Sequence, residues 1–420
     1  MNTFSWECST KVRFGQGCVR EHLGSMIEEF AADGQNILIG YGGGSVKKNG
    51  SYDDVMAVLT EKGYSPADGD SGAEPFSRRI IEFTGIMSNP TLAKMQEGAK
   101  LARSNNIGLI IAVGGGSVMD CCKAVSVQTC YDGDAWEDFW IQGKPMKHHI
   151  VPCGVVVTMP ATGSEVNGCA VLTNEETRIK TDRDYAEMNP AFALMDPAYT
   201  LTMPVRQMRA GTFDIFSHIM ETYFSFPEEG NPADDVSEGL MRGLIRDFRA
   251  ALADPDDIEA RSNIMWAASL AENRIIKTGK TKDFQAHNME HQLSAYTNCN
   301  HGEGLAVLHP VYYRHIYADG LAKFVSFARN VWNLNDADAE VYRAAHGADL
   351  SRDEALALAG IEALEGLIHE AGLPSNLREL GFTEDDKALL PEIAESCFIS
   401  GGAFRPMTKA EILEIYEECW

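Results

Sequence analysis

The sequence predicts an α/β domain with a mostly parallel, Rossmann-like sheet, followed by an all-α domain. Three observations predict it. Short apolar runs alternate with helical patterns through the first half, as in parallel strands joined by helices. Two of those runs end in glycine-rich turns. After about residue 198 strand-like runs nearly vanish and long helical patterns take over. The expected domains are residues 1–198 and 199–420.

Each element has its own signal. Ile37-Leu38-Ile39-Gly40-Tyr41 is a strand candidate running into glycines. Leu92, Met95, Ala99 and Ala102 recur at helical spacing. Ile107 to Val113 is an unbroken apolar run, expected as a fully buried strand. Val151 to Thr158 is another, and Phe192 to Met195 a last one. Thr202-Met203-Pro204 reads as a helix start, with threonine as cap and proline in the first turn. Helical periodicity then covers about 205–225, 236–253, 258–279 and 353–371, with a loop at Pro227 to Pro232.

Charge narrows the partners. Lys and Arg total 36 against 61 Asp and Glu, a net charge of −25. Such a surface repels phosphate backbones and anionic membranes, which argues against a nucleic-acid or membrane role and for a small neutral substrate. No stretch reaches the roughly 18 apolar residues of a spanning helix. The start lacks a basic end followed by an apolar block, so no secretory signal is expected. The ten cysteines form no CxxC pair and read as buried thiols in a reducing cytoplasm.

The turn Gly114-Gly115-Gly116-Ser117 passes from a buried strand into a helix. Glycines let a ligand approach the backbone, and the helix start offers unpaired N–H groups to a pyrophosphate. Met119 stands where GxGxxG needs its third glycine, and no Walker lysine follows. The strand-before and helix-after context favours phosphate binding over a bare tight turn. A second turn, Gly42-Gly43-Gly44-Ser45, is followed by Lys47 and Lys48. NAD-binding folds place a carboxylate here for the ribose 2′-OH. Its replacement by glycines, serine and cations predicts NADPH ahead of NADH, with at least one lysine a plain surface charge.

Asp214 and His218 are four apart, on one helical face in apolar surroundings. A buried carboxylate beside an imidazole needs a metal or a proton-sharing partner. Downstream, His287, His291 and His301 gather within fifteen residues. Asp214, His218 and two of these three would make an N₃O site for a divalent ion, with a position open to a substrate oxygen. His287-Asn288-Met289-Glu290-His291 also matches the H-x-x-E-H motif of inverted zinc proteases, with Glu290 as base. That reading leaves Asp214, His218, His301 and both glycine turns without a role.

Together these residues resemble the iron-containing (group III) alcohol dehydrogenases over nearly the whole chain. Gly114 to Lys123 is similar to that family's GGGSxxDxxK turn, and Thr158 to Glu165 to its TxxxTGSE segment. Asp196-Pro197 through Pro204 is similar to its interdomain crossing. The resemblance is strongest to the butanol dehydrogenase and broad-specificity aldehyde reductase branch. It implies hydride transfer between NADP(H), with NAD(H) second, and short- to medium-chain aldehydes such as butanal, with the nicotinamide opposite the metal. It implies Asp214, His218, His287 and His301 as ligands of one divalent ion, Fe²⁺ first and Zn²⁺ second. His291 becomes the proton relay. Asp120 is the second catalytic candidate, bonding near the nicotinamide or simply capping its helix. Gly42, Gly43, Gly44, Ser45, Lys48, Gly114, Gly115, Gly116, Ser117, Asp120, Thr158, Thr162 and Lys180 become cofactor contacts. A cytoplasmic homodimer is implied as well. Cys121 departs from the family pattern and places a thiol, expected to be oxidation-sensitive, near the phosphates.

Two other classes fit the residues less well. A metal- and NAD-dependent lyase of the sugar-phosphate cyclase type needs several basic residues for its substrate. The metal region carries Phe213, Phe216, Tyr223, Phe224 and Phe226 instead. A nucleotide sensor without catalysis has no use for four ligands with an open position.

Overall fold

The computed structural model describes residues 2–31, 35–67 and 78–420. Its strands are β1 (Lys11–Phe14), β2 (Asn36–Gly40), β3 (Ser65–Pro66), β4 (Arg79–Phe83), β5 (Ile107–Gly114), β6 (Cys153–Val157), β7 (Cys169–Asn174), β8 (Ile179–Asp184) and β9 (Phe192–Met195). Helices α1 (Cys18–Phe30), α2 (Ser45–Lys48), α3 (Ser51–Glu61), α4 (Leu92–Ser104) and α5 (Gly116–Thr129) fall among them. Then come α6 (Val205–Tyr223), α7 (Pro232–Ala253), α8 (Ile258–Glu272), α9 (Gln285–Thr297) and α10 (His301–Ile316). The chain closes with α11 (Leu321–Asn330), α12 (Asp336–His346), α13 (Arg352–Glu370), α14 (Glu384–Ser396) and α15 (Lys409–Glu418).

The chain forms two compact units. One holds Glu7–Pro204 and Asp256–Asn273; the other holds the residues up to Trp6, Val205–Pro255 and Arg274–Trp420. This division is not the single cut expected after residue 198. Helix α8, expected among the helices of the second domain, clusters with the sheet instead. Tertiary contacts explain it. Met265 enters the core on one sheet face, and the Ser269 hydroxyl donates to Glu165 at 2.6 Å.

In the first unit seven strands run in the order β1-β9-β6-β5-β2-β4-β3, every neighbouring pair parallel. All residues of β2, β5, β6 and β9 are buried. Continuous apolar runs are what parallel strands covered on both faces require. Alternation then sorts the side chains. Ile37, Ile39, Leu109, Ile111 and Val113 join Leu23 and Ile27 of α1 and Val55 and Leu59 of α3. Leu38, Ile110, Ala112, Val155 and Val157 join Met95 of α4 and Val125 of α5 on the opposite face. Strands β7 and β8 form a separate antiparallel hairpin. The second unit is mostly helical, and α12, α13, α14 and α15 each begin with a capping box. Among the described residues no helix is long and apolar enough to cross a membrane.

Candidate active site

Strand order places both glycine turns side by side. After β2 the sheet grows outward through β4 and β3; β5 then pairs with the other side of β2, and β6 and β9 follow. The topology therefore switches direction between β2 and β5. Crevices at the carboxyl ends of such strands are where open α/β sheets bind ligands. Gly42, Gly43 and Gly44 follow β2 after Tyr41, and Ser45 and Lys48 bound the four-residue α2. Gly43, Gly44, Ser45 and Lys48 are exposed. Lys47 lies over the Tyr52 ring, 4.6 Å from its centroid, so this neighbouring lysine is occupied as a cation–π partner.

Gly114 ends β5, Gly115 caps α5, and Gly116 and Ser117 form its first turn. A methyl group on Gly116 would stand 2.6 Å from Thr162 Oγ1, so glycine lets the 158–164 loop close onto the turn. Thr158 is tied to the same place, its N–H donating to Gly114 O at 3.0 Å. Lys180 lies on β8 opposite Thr173 and is buried.

Asp120 does not cap α5, one of the two roles expected of it. It is buried in the second turn of α5, away from the cap position. Oδ1 accepts from the Ser164 hydroxyl at 2.6 Å and Oδ2 from the Val171 N–H at 3.1 Å. Beside it, Lys123 Nζ donates to Ser164 Oγ at 2.7 Å, Asn167 O at 2.8 Å and Cys169 O at 2.9 Å. Burial pulls this ammonium below its usual range and pushes the Asp120 carboxyl up, each opposed by the other's charge. The pair bolts α5 to the loop that carries Thr162. Cys121 is fully buried, and burial pushes its thiol up to about 12. A protonated, enclosed thiol is inert, contrary to the expected oxidation sensitivity.

In the helical unit one stripe of α6 supplies three acids and bases. Asp214, His218 and Glu221 stand at positions i, i+4 and i+7, all buried. His287 and His291 lie four apart on α9, and His301 opens α10. These elements bring the imidazoles together around a single oxygen. Asp214 Oδ1 lies 3.6 Å from His218 Nδ1, 3.7 Å from His287 Nε2 and 3.5 Å from His301 Nε2. Those gaps are too long for hydrogen bonds. Asp214 Oδ1 and His287 Nε2 are buried with no hydrogen-bond partner. Ligand atoms arranged tetrahedrally at about 2.1 Å from one ion stand about 3.4 Å apart. The observed spacing and the N₃O donor set therefore fit a small divalent cation. Burial raises the cost of charge on Asp214, but His218, His301 and His287 outweigh it and hold the carboxyl well below its usual range. His291 is buried beside the group, its ring 5.5 Å from that of His301 and 6.1 Å from that of His287.

Two carboxylates stand behind the imidazoles. Glu221 Oε2 meets His287 Nδ1, and Glu290 Oε2 meets His301 Nδ1. Both side chains are fully enclosed. Burial works against His287 carrying a proton, yet Glu221 and Asp214 raise it to about 10. Glu290 thus backs a histidine of the cluster, a position unlike that of a protease base. Sequence alone does not mark either acid as a partner of the cluster. The signal for Glu221 was its i+7 spacing from Asp214.

Residues 9–197 match the iron-containing alcohol dehydrogenase family, and residues 208–420 match the C-terminal domain of the Fe-containing alcohol dehydrogenase family. NADH-dependent butanol dehydrogenase A of Clostridium acetobutylicum is 36% identical, with 100% of both chains covered. NADPH-dependent aldehyde reductase YqhD of Escherichia coli is 33% identical, with 99% of both covered. The crystal structure of NADH-dependent butanol dehydrogenase A from Thermotoga maritima superposes with a TM-score of 0.87 at 29% identity, covering 100% of this chain and 99% of that one.

The chain belongs to the iron-containing alcohol dehydrogenase family. It is an oxidoreductase that acts on alcohols.

The aromatic residues expected around the site of this alcohol dehydrogenase lie mostly elsewhere. Phe224 stacks on Phe324 with centroids 4.1 Å apart, Phe216 packs on Trp332, and Phe226 packs on Phe404. They fill other faces of the helices. Phe284 is the aromatic beside the imidazoles, its centroid 5.1 Å from His287 and 6.1 Å from His218. It precedes α9 with φ of 57°, a left-handed conformation that costs a phenylalanine roughly 1–3 kcal/mol.

Close helix packing sets the position of His301. A methyl group on Gly302 would stand 2.1 Å from the Ala210 carbonyl oxygen, so α10 starts hard against α6. Gly302→Ala is expected to push His301 away from Asp214. Stability should fall by about 1–3 kcal/mol, and stoichiometric metal should be lost on dialysis. A variant that keeps its metal and its melting temperature would show that the two helices slide without cost.

Proposed function

We propose that this alcohol dehydrogenase is a metal-dependent aldehyde reductase for short- to medium-chain aldehydes such as butanal, using NADPH in preference to NADH. The observation that carries the reading is the convergence of three imidazoles, two buried and that of His301 partly exposed, on one oxygen of Asp214. In this reading Asp214, His218, His287 and His301 hold one divalent ion, iron first and zinc second. Such an ion supplies a Lewis acid that polarises the substrate oxygen and stabilises the alkoxide charge.

The rest falls to the chain itself. Gly114, Gly115, Gly116 and Ser117 receive the cofactor phosphates at the start of α5, where N–H groups and the helix dipole favour anions. Gly42, Gly43, Gly44, Ser45 and Lys48 receive the 2′-phosphate. Exposure of Lys48 and the absence of a carboxylate from this turn support that choice. The hydroxyls of Thr158 and Thr162 and the ammonium of Lys180 contact the cofactor, and Asp120 positions their loop through Ser164. Reduction delivers a hydride to the carbonyl carbon and needs one proton at the oxygen. His291, enclosed beside His287 and His301, relays that proton. A cytoplasmic homodimer belongs to the same reading.

The test follows NADPH absorbance with butanal in a panel of aldehydes, before and after chelation and metal return. Oxidation matched mole for mole by butanol, lost on chelation and restored by Fe²⁺ or Zn²⁺, is expected. No turnover with any aldehyde in the presence of metal would defeat the reading. A kcat/KM equal or better with NADH would remove the cofactor preference and leave the reaction class standing.

A further inference from the structure

Glu221 does two things at once. Its Oε1 accepts the N–H groups of Ala286 at 2.7 Å and His287 at 3.3 Å, two of the unpaired amides at the start of α9. Its Oε2 meets His287 Nδ1. The carboxylate is therefore fixed at one end by the helix and can offer only an acceptor at the other. The residue before α9, Phe284, makes no side-chain cap, so Glu221 fills that role from α6.

We propose that Glu221 is the positioning residue that makes His287 a metal ligand, by fixing the proton on Nδ1 and leaving the Nε2 lone pair for the ion. The inference rests on the metal reading given under Proposed function. Neutral imidazole carries one ring proton, and the hydrogen bond made by one nitrogen decides which one bears it. An oxygen held opposite Nδ1 demands a proton there. Nε2, which faces Asp214 Oδ1, is then free to donate electrons.

Glu290 stands in the same relation to His301, but its anchorage differs. It lies in the body of α9, and its Oε1 faces the Cys299 sulfur at 3.8 Å, where Glu221 faces backbone amides. The difference gives the two acids opposite responses to the same isosteric change. In Glu221→Gln the side-chain carbonyl must stay with the α9 amides, so the NH₂ group turns to Nδ1. Nδ1 must then accept, the proton moves to Nε2, and the ligand is lost. In Glu290→Gln the carbonyl can face His301 Nδ1 while the NH₂ faces the sulfur, so the tautomer survives and only charge is lost.

The experiment titrates zinc alone into the full-length, metal-stripped protein against a competing chelator, with circular dichroism as the folding control. Glu221→Gln is expected to bind zinc about 100-fold more weakly than wild type, and Glu290→Gln about 10-fold more weakly. Nitrogen-15 spectra of histidine-labelled Glu221→Gln should show the His287 proton on Nε2. Equal losses in the two variants, or wild-type affinity in Glu221→Gln, would overturn the proposal. If Glu221→Gln does not fold, the zinc-loaded wild-type spectrum decides. Coordination through His287 Nε2 with a strongly deshielded, hydrogen-bonded Nδ1 proton supports the proposal, and coordination through Nδ1 overturns it. A wild-type protein that takes up no zinc would overturn the metal reading itself, an outcome distinct from failure of the Glu221 role alone.

Discussion

Asp214→Ala is expected to yield a protein that retains no stoichiometric metal and reduces aldehydes about 10³-fold more slowly in kcat/KM. The size follows from the geometry. Oδ1 of Asp214 is the one atom that all three imidazoles face, at 3.5 to 3.7 Å. Without it the cluster loses its only anionic donor and three neutral nitrogens must hold a dication unaided. Several kcal/mol of Lewis-acid stabilisation then vanish from the transition state, which sets the rate loss. Metal analysis after dialysis and initial rates with added Fe²⁺ or Zn²⁺ check both halves. A variant that keeps its ion and works within tenfold of wild type would remove Asp214 from the ligand set.

Lys123→Met should lower stability by about 3–5 kcal/mol, because it leaves the buried Asp120 carboxylate without the neighbouring cation that opposes its burial. Lys123 is 1% exposed and reaches four acceptor atoms on Ser164, Asn167 and Cys169. Methionine fills a similar volume but leaves those acceptors dry and Asp120 without its counter-charge. For a unit of this size the melting temperature should drop by roughly 10 °C. The KM for NADPH should rise with it, because the same bonds hold the loop bearing Thr162 against Gly116. A shift of less than about 2 °C would mean that water replaces the ammonium at little cost.

Much of this molecule can be read from its residues, for physical reasons that differ by region. The buried strands β2, β5, β6 and β9 are legible because both their faces are covered and their apolar runs are unbroken. β1 and β4 are not, since Lys11, Arg13, Arg79 and Glu82 interrupt the pattern near the margins of the sheet. The hairpin of β7 and β8 escapes notice likewise, with Lys180, Asp182, Arg183 and Asp184 in one strand. Asp214 with His218 follows from helical spacing alone. Bringing in His287 and His301 needs the fold, because α9 and α10 approach α6 through contacts such as Gly302 on Ala210. Glu290 is hidden by its own motif: within H-x-x-E-H it reads as a base, and only the bond to His301 Nδ1 reassigns it. The fate of α8 is not written in its periodicity, which is helical wherever it docks.

The return of α8 to the sheet limits how this enzyme can be cut and recombined. The backbone passes between the units at residues 6–7, 204–205, 255–256 and 273–274. A fragment stopping at Pro204 would carry both glycine turns yet leave the place of Met265 bare and Glu165 without the Ser269 hydroxyl. Chimeras that exchange cofactor halves between relatives must therefore transplant two separate stretches together. A library built on a single crossover near residue 200 will be dominated by insoluble products.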